Sequence, residues 1–356
     1  MDAVPVTVLT GFLGAGKTTL LRALLARPDG VRIAVLINEF GEIGLDHLLV
    51  EHVAEDLVLL ASGCLCCTVR SDLVAALGRL ASRRAAGELA FERVIIETTG
   101  LADPAPILHT LMGEPSVLAS YRLDGIVTVV DAVNGWATLN TQPEAVKQAA
   151  VADRLVLSKT DLAGADGVAR LRARLAALNP AAPILQAQHG ALDPAAILNA
   201  GLFDPSRKSP DVAGWLRAEA YMASDGEHGH AHLDHDRHQH DPNRHDDRIR
   251  AFCLTFDQPL PWQGLATWLE MMVRVRGESL LRIKAVLDLI GHDRPVAIHG
   301  VQHLFHPPAA LPAWPEGEAR RSRLVFIVRD LDRAVIEDGL NAFLAAANQA
   351  AALRAG

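Results

Sequence analysis

The sequence predicts an α/β protein of the P-loop NTPase type, a parallel sheet with helices on both faces, followed by a smaller C-terminal α+β domain. Two observations support the first part. Apolar runs rich in β-formers alternate with helical stretches along the first half of the 356-residue chain, as is typical of parallel sheets. A glycine-rich loop lies between the first strand and the first helix, where such folds bind phosphate groups.

The predicted elements follow from these runs. Strands of the first domain are predicted at residues 4–9, 32–37, 56–60, 93–97, 125–131 and 154–158, and helices at 17–26, 71–86, 104–112, 143–151 and 164–179. Later strands are predicted at residues 250–256, 280–287, 295–301 and 323–328, and later helices at 262–272 and 333–347. The stretch between is rich in Asp, Pro and His and cannot build a core. We therefore predict a P-loop domain over residues 1–203, a flexible linker over 204–247 and a C-terminal domain over 248–356.

Composition limits the partners and the location. The net charge of −8 argues against binding to nucleic acid. No long uncharged apolar run and no signal peptide are found, so we expect a cytoplasmic protein without a membrane partner. Three of the four cysteines fall within four residues, which favours metal or redox chemistry over a disulfide framework.

The first informative motif is Gly-Phe-Leu-Gly-Ala-Gly-Lys-Thr at residues 11–18, a G-x-x-x-x-G-K-T phosphate loop. Lys17 is expected to reach the β- and γ-phosphates, and the hydroxyl of Thr18 to bind Mg²⁺. The strand–loop–helix context disfavours the alternative, a chance match in a glycine-rich turn. The residues expected to contact the nucleotide here are Gly11, Gly14, Ala15, Gly16, Lys17, Thr18 and Thr19.

A second motif, Glu-Thr-Thr-Gly, closes the strand predicted at residues 93–97. The Glu97 carboxylate can hold Mg²⁺ through water. The N–H of Gly100 can contact the γ-phosphate and make this loop sensitive to the nucleotide. Lys17, Thr18 and Glu97 are thus the predicted catalytic residues. Leu101 stands where many GTPases have a glutamine that orients water, so we expect slow intrinsic hydrolysis.

A third motif, Ser-Lys-Thr-Asp at residues 158–161, also closes an apolar strand. The Asp161 carboxylate can accept from both the ring N–H and the exocyclic amine of guanine, while the stem of Lys159 lies along the base. GTPases usually carry asparagine where this chain has Ser158. The alternative is a plain strand-to-helix turn with Asp161 as a helix cap. GTP and GDP are the predicted nucleotides.

The three neighbouring cysteines form the motif Cys-Leu-Cys-Cys. Thiolates suit Zn²⁺, which takes three or four donors in a tetrahedral site. In an extended stretch Cys64 and Cys66 share a face, so a turn is needed to bring Cys67 to them. Glu42, His47 or a water is the candidate for the missing donor. Buried structural cysteines or a redox pair are the alternatives.

Seven of the fifteen histidines lie between residues 228 and 245, interleaved with Asp. Such a segment can gather Zn²⁺, Ni²⁺, Co²⁺ or Cu²⁺ weakly, although a solvated linker with incidental histidines is the alternative. The auxiliary ligands that we predict are His228, His230, His232, His235, His238 and His240.

Taken together, these motifs strongly resemble the CobW family of metal-chaperone GTPases, and the resemblance covers nearly the whole chain. The segments that carry it, in order, are residues 11–18, 38–42, 64–67, 97–104, 158–161 and 298–302. The resemblance implies that residues 38–42 lie in the first switch, with Glu42 near the thiolates. It also implies a C-terminal domain of the family's type and coupling between bound metal and GTP.

The expected function is therefore a GTP-hydrolysing metallochaperone with Mg²⁺ and Zn²⁺ that serves an unidentified client metalloprotein, with a homodimer as a candidate assembly. Delivery of Co²⁺ or another metal for cofactor or enzyme assembly is the alternative within the family. A metal-buffering or sensing protein and a small-molecule kinase are the alternatives from other classes. The Ser-Lys-Thr-Asp motif counts against the kinase, because such kinases do not need to recognise guanine.

Overall fold

Seven parallel strands form one sheet in the described part of the first half of the chain. Their order is β3-β2-β4-β1-β5-β6-β7, so the first strand lies near the middle of the sheet. The strands are β1 (Val4–Thr10), β2 (Ile33–Asn38), β3 (Leu57–Leu59), β4 (Arg93–Thr98), β5 (Tyr121–Asp131), β6 (Arg154–Ser158) and β7 (Ile184–Gln186). Every neighbouring pair is parallel, so all carboxyl ends lie along one edge.

This computed structural model describes residues 3–26, 32–38, 57–59, 67–200, 248–314 and 319–355, together with residues 216 and 221. Only the backbone is described at residues 38, 57–59, 67–69, 354 and 355. The chain divides into two compact units, residues 1–176 with 182–204 and residues 177–181 with 205–356. The predicted boundaries of the linker stay a prediction.

The described helices of the first half follow the strands in alternation. They are α1 (Lys17–Leu25), α2 (Cys67–Ala85), α3 (Ala105–Gly113), α4 (Pro115–Leu118), α5 (Gly135–Thr141), α6 (Pro143–Ala150), α7 (Ala165–Leu178) and α8 (Pro194–Ile197). The central strands are buried along almost their whole length, as expected when helices cover both faces of a parallel sheet. Leu20, Leu21 and Leu24 of α1 pack into the core with Val127 and Val129 of β5.

The second unit contains a six-stranded antiparallel sheet. Its strands are β8 (Ile249–Phe256), β9 (Leu280–Leu287), β10 (Val296–Val301), β11 (Leu304–Phe305), β12 (Ala309–Ala310) and β13 (Ser322–Arg329), in the order β11-β10-β9-β13-β8 with β12 paired to β10. Helices α9 (Trp262–Arg276) and α10 (Arg333–Ala355) supply apolar side chains to the same core. Phe326 stacks on Phe252 at 5.4 Å and meets the edge of Trp268 at 6.1 Å, both between ring centroids.

The predicted fold class is confirmed: a P-loop NTPase sheet precedes a smaller α+β unit. The structure adds β7 and starts β5 at Tyr121, where the sequence predicts a strand only from residue 125. Among the described helices, none combines the length and the apolar character that a membrane crossing requires.

Candidate functional site

The turn after β1 forms the phosphate loop and leads directly into α1. Gly11 has φ of 141°. A Cβ there would lie 2.3 Å from the backbone oxygen of Val129 on β5, so only glycine fits this close approach. Gly16 adopts φ of 94° just before Lys17 begins α1. The unsatisfied N–H groups at the start of α1 therefore lie beside the loop, where an anion can bind.

Lys17 is held inside the phosphate loop. Its Nζ donates to the carbonyl oxygen of Gly11 at 2.8 Å and to that of Phe12 at 3.3 Å. The residue is 8% exposed, so its charge lies in a partly desolvated position. An ammonium group in this place can bind phosphate oxygens more strongly than one in free solvent, because solvent screens it less.

Thr18 and Glu97 meet at the start of α1 and the end of β4. The hydroxyl of Thr18 donates to Oε1 of Glu97 at 2.8 Å, although the two residues are far apart in sequence. Glu97 is 4% exposed. A hydroxyl and a carboxylate placed together provide hard oxygen donors, which are the ligands that Mg²⁺ prefers. The pair thus fits a magnesium ion bound beside the phosphates.

A cavity of about 830 Å³ lies at this edge of the sheet and is lined by most of the predicted nucleotide residues, but not by Gly11, Ala15, Ser158 or Asp161. Its volume is within the range of small-molecule sites. The described residues that line it are Leu13, Gly14, Gly16, Lys17, Thr18, Thr19, Arg22, Glu97, Thr98, Thr99, Gly100, Leu101 and Lys159. None of these lining residues is a glutamine or a histidine.

The loop after β4 packs directly on the phosphate loop. A Cβ on Gly100 would lie 2.5 Å from the backbone nitrogen of Leu13, so the two backbones are in close contact. Leu101 follows with 55% of its surface exposed and lines the cavity. Gly100, which is expected to contact the γ-phosphate, therefore lies beside the loop that is expected to bind the β-phosphate.

The end of β6 is bonded to the phosphate loop from the other side. The hydroxyl of Ser158 donates to the carbonyl oxygen of Ala15 at 2.6 Å. Nζ of Lys159 donates to the carbonyl oxygen of Gly14 at 2.7 Å. The serine that departs from the usual asparagine thus still links the predicted base site to the phosphate loop.

Asp131, at the end of β5, is a site residue that sequence analysis missed. Its Oδ2 accepts from Nζ of Lys159 at 2.8 Å, and its Oδ1 accepts from the N–H of Val133 at 2.8 Å. Burial by itself acts to raise the pKa of Asp131. The hydrogen bonds from Lys159, from the Asn134 side chain and from two backbone N–H groups outweigh burial and hold the pKa below its ordinary value. Asp131 is thus a charged partner for Lys159 at neutral pH.

The predicted guanine-binding carboxylate, Asp161, is partly open, with 34% of its side chain exposed. The turn after β7 approaches it, and Nε2 of His189 lies 4.0 Å from Oδ2 of Asp161. This turn is tied to β6 by a bond of 2.9 Å from the N–H of Ala187 to the carbonyl oxygen of Leu157. No sequence motif marks His189, and β7, which precedes it, is too short to be recognised from its apolar pattern.

The predicted metal ligands fall largely outside the described residues. Glu42, Cys64 and Cys66 lie there, and so do the six auxiliary histidines from His228 to His240. Cys67 is the first residue of α2, where only the backbone is described. Within the described ranges, His, Cys, Asp and Glu side chains form no group of three or more that could hold a metal ion.

Comparison with protein families gives two separate matches. The model described as the CobW/HypB/UreG nucleotide-binding domain matches residues 5–186. The model described as the cobalamin synthesis protein cobW C-terminal domain matches residues 249–344.

Full-length relatives support these matches. The chain is 34% identical to the zinc chaperone YjiA of Escherichia coli over 92% of this chain and 94% of the relative. It is also 34% identical to the zinc chaperone CobW of Pseudomonas aeruginosa over 96% of this chain and 92% of the relative. The crystal structure of Zn(II)-bound YjiA GTPase from E. coli superposes with a TM-score of 0.68 at 28% identity, covering 96% of this chain and 99% of that one.

Proposed function

The chain belongs to the CobW family of P-loop GTPases, and we propose that it is a metallochaperone that binds Zn²⁺ at Cys64, Cys66 and Cys67 and passes it to a client protein in a nucleotide-dependent way. The two family models and the zinc-chaperone relatives confirm the family resemblance of the sequence. The relatives named as zinc chaperones match nearly the whole chain, so both of its parts have counterparts in them.

The proposal is supported by the edge of the sheet at which β2 and β3 end. β2 and β3 are neighbouring parallel strands, and Asn38 at the end of β2 is in register with Thr98 at the end of β4. The segments after β2 and β3 therefore start at the edge that carries the phosphate loop and Glu97. Glu42 belongs to the first segment, and Cys64 and Cys66 belong to the second. This topology supports coupling between metal and nucleotide.

The same edge supports the predicted roles in GTP hydrolysis. We propose that Lys17 binds the β- and γ-phosphates and that Thr18 and Glu97 hold Mg²⁺, with Glu97 acting through water. When bound, Mg²⁺ neutralises charge on the phosphate oxygens. Thr18 and Glu97 already share a hydrogen bond, so little rearrangement is needed to present their oxygens to the ion. With Leu101 in place of glutamine, intrinsic turnover is expected to be slow.

Asp161 is the proposed determinant of guanine preference. Asp161→Asn should weaken binding of GTP by roughly 10²-fold, because one hydrogen bond to a charged group is lost and the new amide N–H2 group faces a donor of guanine. Binding of xanthosine triphosphate should improve, because xanthine carries an oxygen to which the asparagine amide can donate. Isothermal titration with GTP, ATP and xanthosine triphosphate measures all three affinities. Asp166→Asn, an exposed change on α7, is the control, and an unaltered GTP/ATP ratio in the Asp161 variant would remove the proposed role.

Cys66 is the proposed central thiolate of the metal site. Cys66→Ala should weaken Zn²⁺ binding by at least about 10-fold, since a tetrahedral site loses one of three or four donors. Competition titration against a chelating dye measures the affinity. Cys253→Ala is the matched control, because Cys253 lies on β8 of the other unit. If the Cys66 variant kept both the stoichiometry and the affinity of the unaltered protein, the thiolate site would be wrong.

The coupling itself is tested by titrating Zn²⁺ and Co²⁺ into the protein with GDP and with a non-hydrolysable GTP analogue. Tighter binding in the GTP form that depends on the three cysteines would support a nucleotide-gated chaperone and rank the two metals. Equal affinity in both nucleotide states would leave a GTPase that stores metal. The client protein, a homodimeric assembly and the cytoplasmic location stay predictions.

A further inference from the structure

Two adjacent side chains of α6 bind the loop that follows β4. Nε2 of Gln148 donates to the carbonyl oxygen of Gly100 at 3.2 Å and to that of Ala102 at 3.0 Å. Nζ of Lys147 donates to Oδ2 of Asp103 at 2.8 Å. The loop from residue 100 to residue 103 is therefore held at three points by one short helix.

Gln148 is buried and its helix is attached to the sheet. The residue is 0% exposed, and its buried amide N–H2 group, which would be costly to leave unpaired, is satisfied by these two carbonyl oxygens. The backbone carbonyl oxygen of Gln148 accepts from the hydroxyl of Thr128 at 2.7 Å, which ties this turn of α6 to β5. A rigid sheet thus supports the side chain that holds the loop. Asp103, the partner of Lys147, also accepts from the N–H of Ala105 at 3.0 Å and so fixes the start of α3.

The opposite side of the same loop faces the nucleotide cavity. Thr99, Gly100 and Leu101 line that cavity, and Gly100 touches the backbone of Leu13. In a trans peptide the C=O and N–H groups point in opposite directions. A side chain that fixes the carbonyl oxygen of Gly100 therefore also fixes the direction of the N–H of Leu101. Gln148 is not among the described residues that line the cavity, so it acts on the nucleotide only through the loop.

We propose that Lys147 and Gln148 are positioning residues that hold residues 100–103 against the phosphate loop and thereby favour a nucleotide with a γ-phosphate over GDP. The inference rests on the proposed function in taking GTP as the ligand. A loop placed beside the position of the γ-phosphate gains contacts with GTP that GDP cannot supply. A loop released from α6 must first be ordered before it makes those contacts, so GTP alone loses affinity.

The test compares binding of GDP and of a non-hydrolysable GTP analogue, both with Mg²⁺, by isothermal titration of the full chain. Gln148→Leu, similar in size but unable to donate, should weaken the analogue by about 10-fold, since two hydrogen bonds are lost. GDP affinity should change by less than about 2-fold. Lys147→Ala should weaken binding of the analogue by about 3-fold, as expected for a partly exposed ion pair, and Lys147→Arg should restore it.

Glu144→Gln on the same helix is the matched control and should alter neither affinity. A merely structural role of α6 would lower the two affinities together. Equal losses for GDP and the analogue, or no loss in either the Gln148 or the Lys147 variant, would overturn the positioning role. If Gln148→Leu fails to fold, the affinities of Lys147→Ala and Lys147→Arg decide whether the positioning role holds. An unaltered protein that binds no guanine nucleotide would overturn the proposed function itself, a result distinct from selective failure of the variants.

Discussion

Replacing Lys17 with alanine is expected to lower GTP turnover by at least about 10²-fold, the usual loss when one preorganised donor to a developing charge is removed. Nζ of Lys17 is held between the carbonyl oxygens of Gly11 and Phe12 and has little contact with solvent. Alanine removes both the charge and the contacts that keep the loop in shape. Release of inorganic phosphate from GTP under saturating Mg²⁺ measures the effect.

Two further variants separate loss of the phosphate contact from general damage. Arg79→Ala removes a cation from an exposed position of α2 and should leave turnover unchanged. Lys17→Arg keeps the charge but brings a larger, planar group into a confined loop, so it should not rescue activity. Turnover in the Lys17→Ala protein equal to that of the unaltered chain would refute the assignment of the phosphate loop.

The strands that could be predicted are those buried on both faces. β1 and β4 read as continuous apolar runs because helices cover the sheet on both sides. The start of β5 was missed because Arg122 and Asp124 interrupt its apolar pattern. Asp124 is buried there and accepts a hydrogen bond from Arg93 of β4, so a long-range ion pair permits charge inside the sheet. The apolar pattern of one segment does not indicate that a charged residue in it has an ion-pair partner on another strand.

The residues of the candidate site also differ in whether local sequence features could reveal them. Lys17, Thr18 and Glu97 could be found because the spacing of a phosphate loop and the order of strand ends are local features of the chain. Asp131 and Gln148 could not, because each acts through a contact with a distant segment: Asp131 binds Lys159, and Gln148 binds Gly100. Their residue types are ordinary for a strand end and for a helix, and only the fold gives them a role.

Replacing Gly100 with alanine is expected to weaken binding of a GTP analogue while leaving GDP binding largely intact. The added methyl group would lie 2.5 Å from the backbone nitrogen and 2.6 Å from Cα of Leu13, so one of the two loops must move. Ser158 and Lys159 bond the phosphate loop to β6. We therefore expect the loop after β4 to move away. Overpacking of this kind costs about 1–3 kcal/mol, which corresponds to about 5-fold to 150-fold weaker binding of a GTP analogue.

Gly78→Ala is the matched control for this change. Gly78 lies inside α2, and a methyl group there meets nothing within 4 Å, so the same substitution should raise the stability of the helix by up to about 1 kcal/mol without changing nucleotide affinity. Titrations with GDP and with the analogue, together with thermal unfolding, distinguish the outcomes. If the Gly100 variant lost both nucleotides equally, the phosphate loop would be the element that moves. If it kept the analogue, the γ-phosphate would not be recognised by the loop after β4, and the positioning role of Gln148 would fail with it.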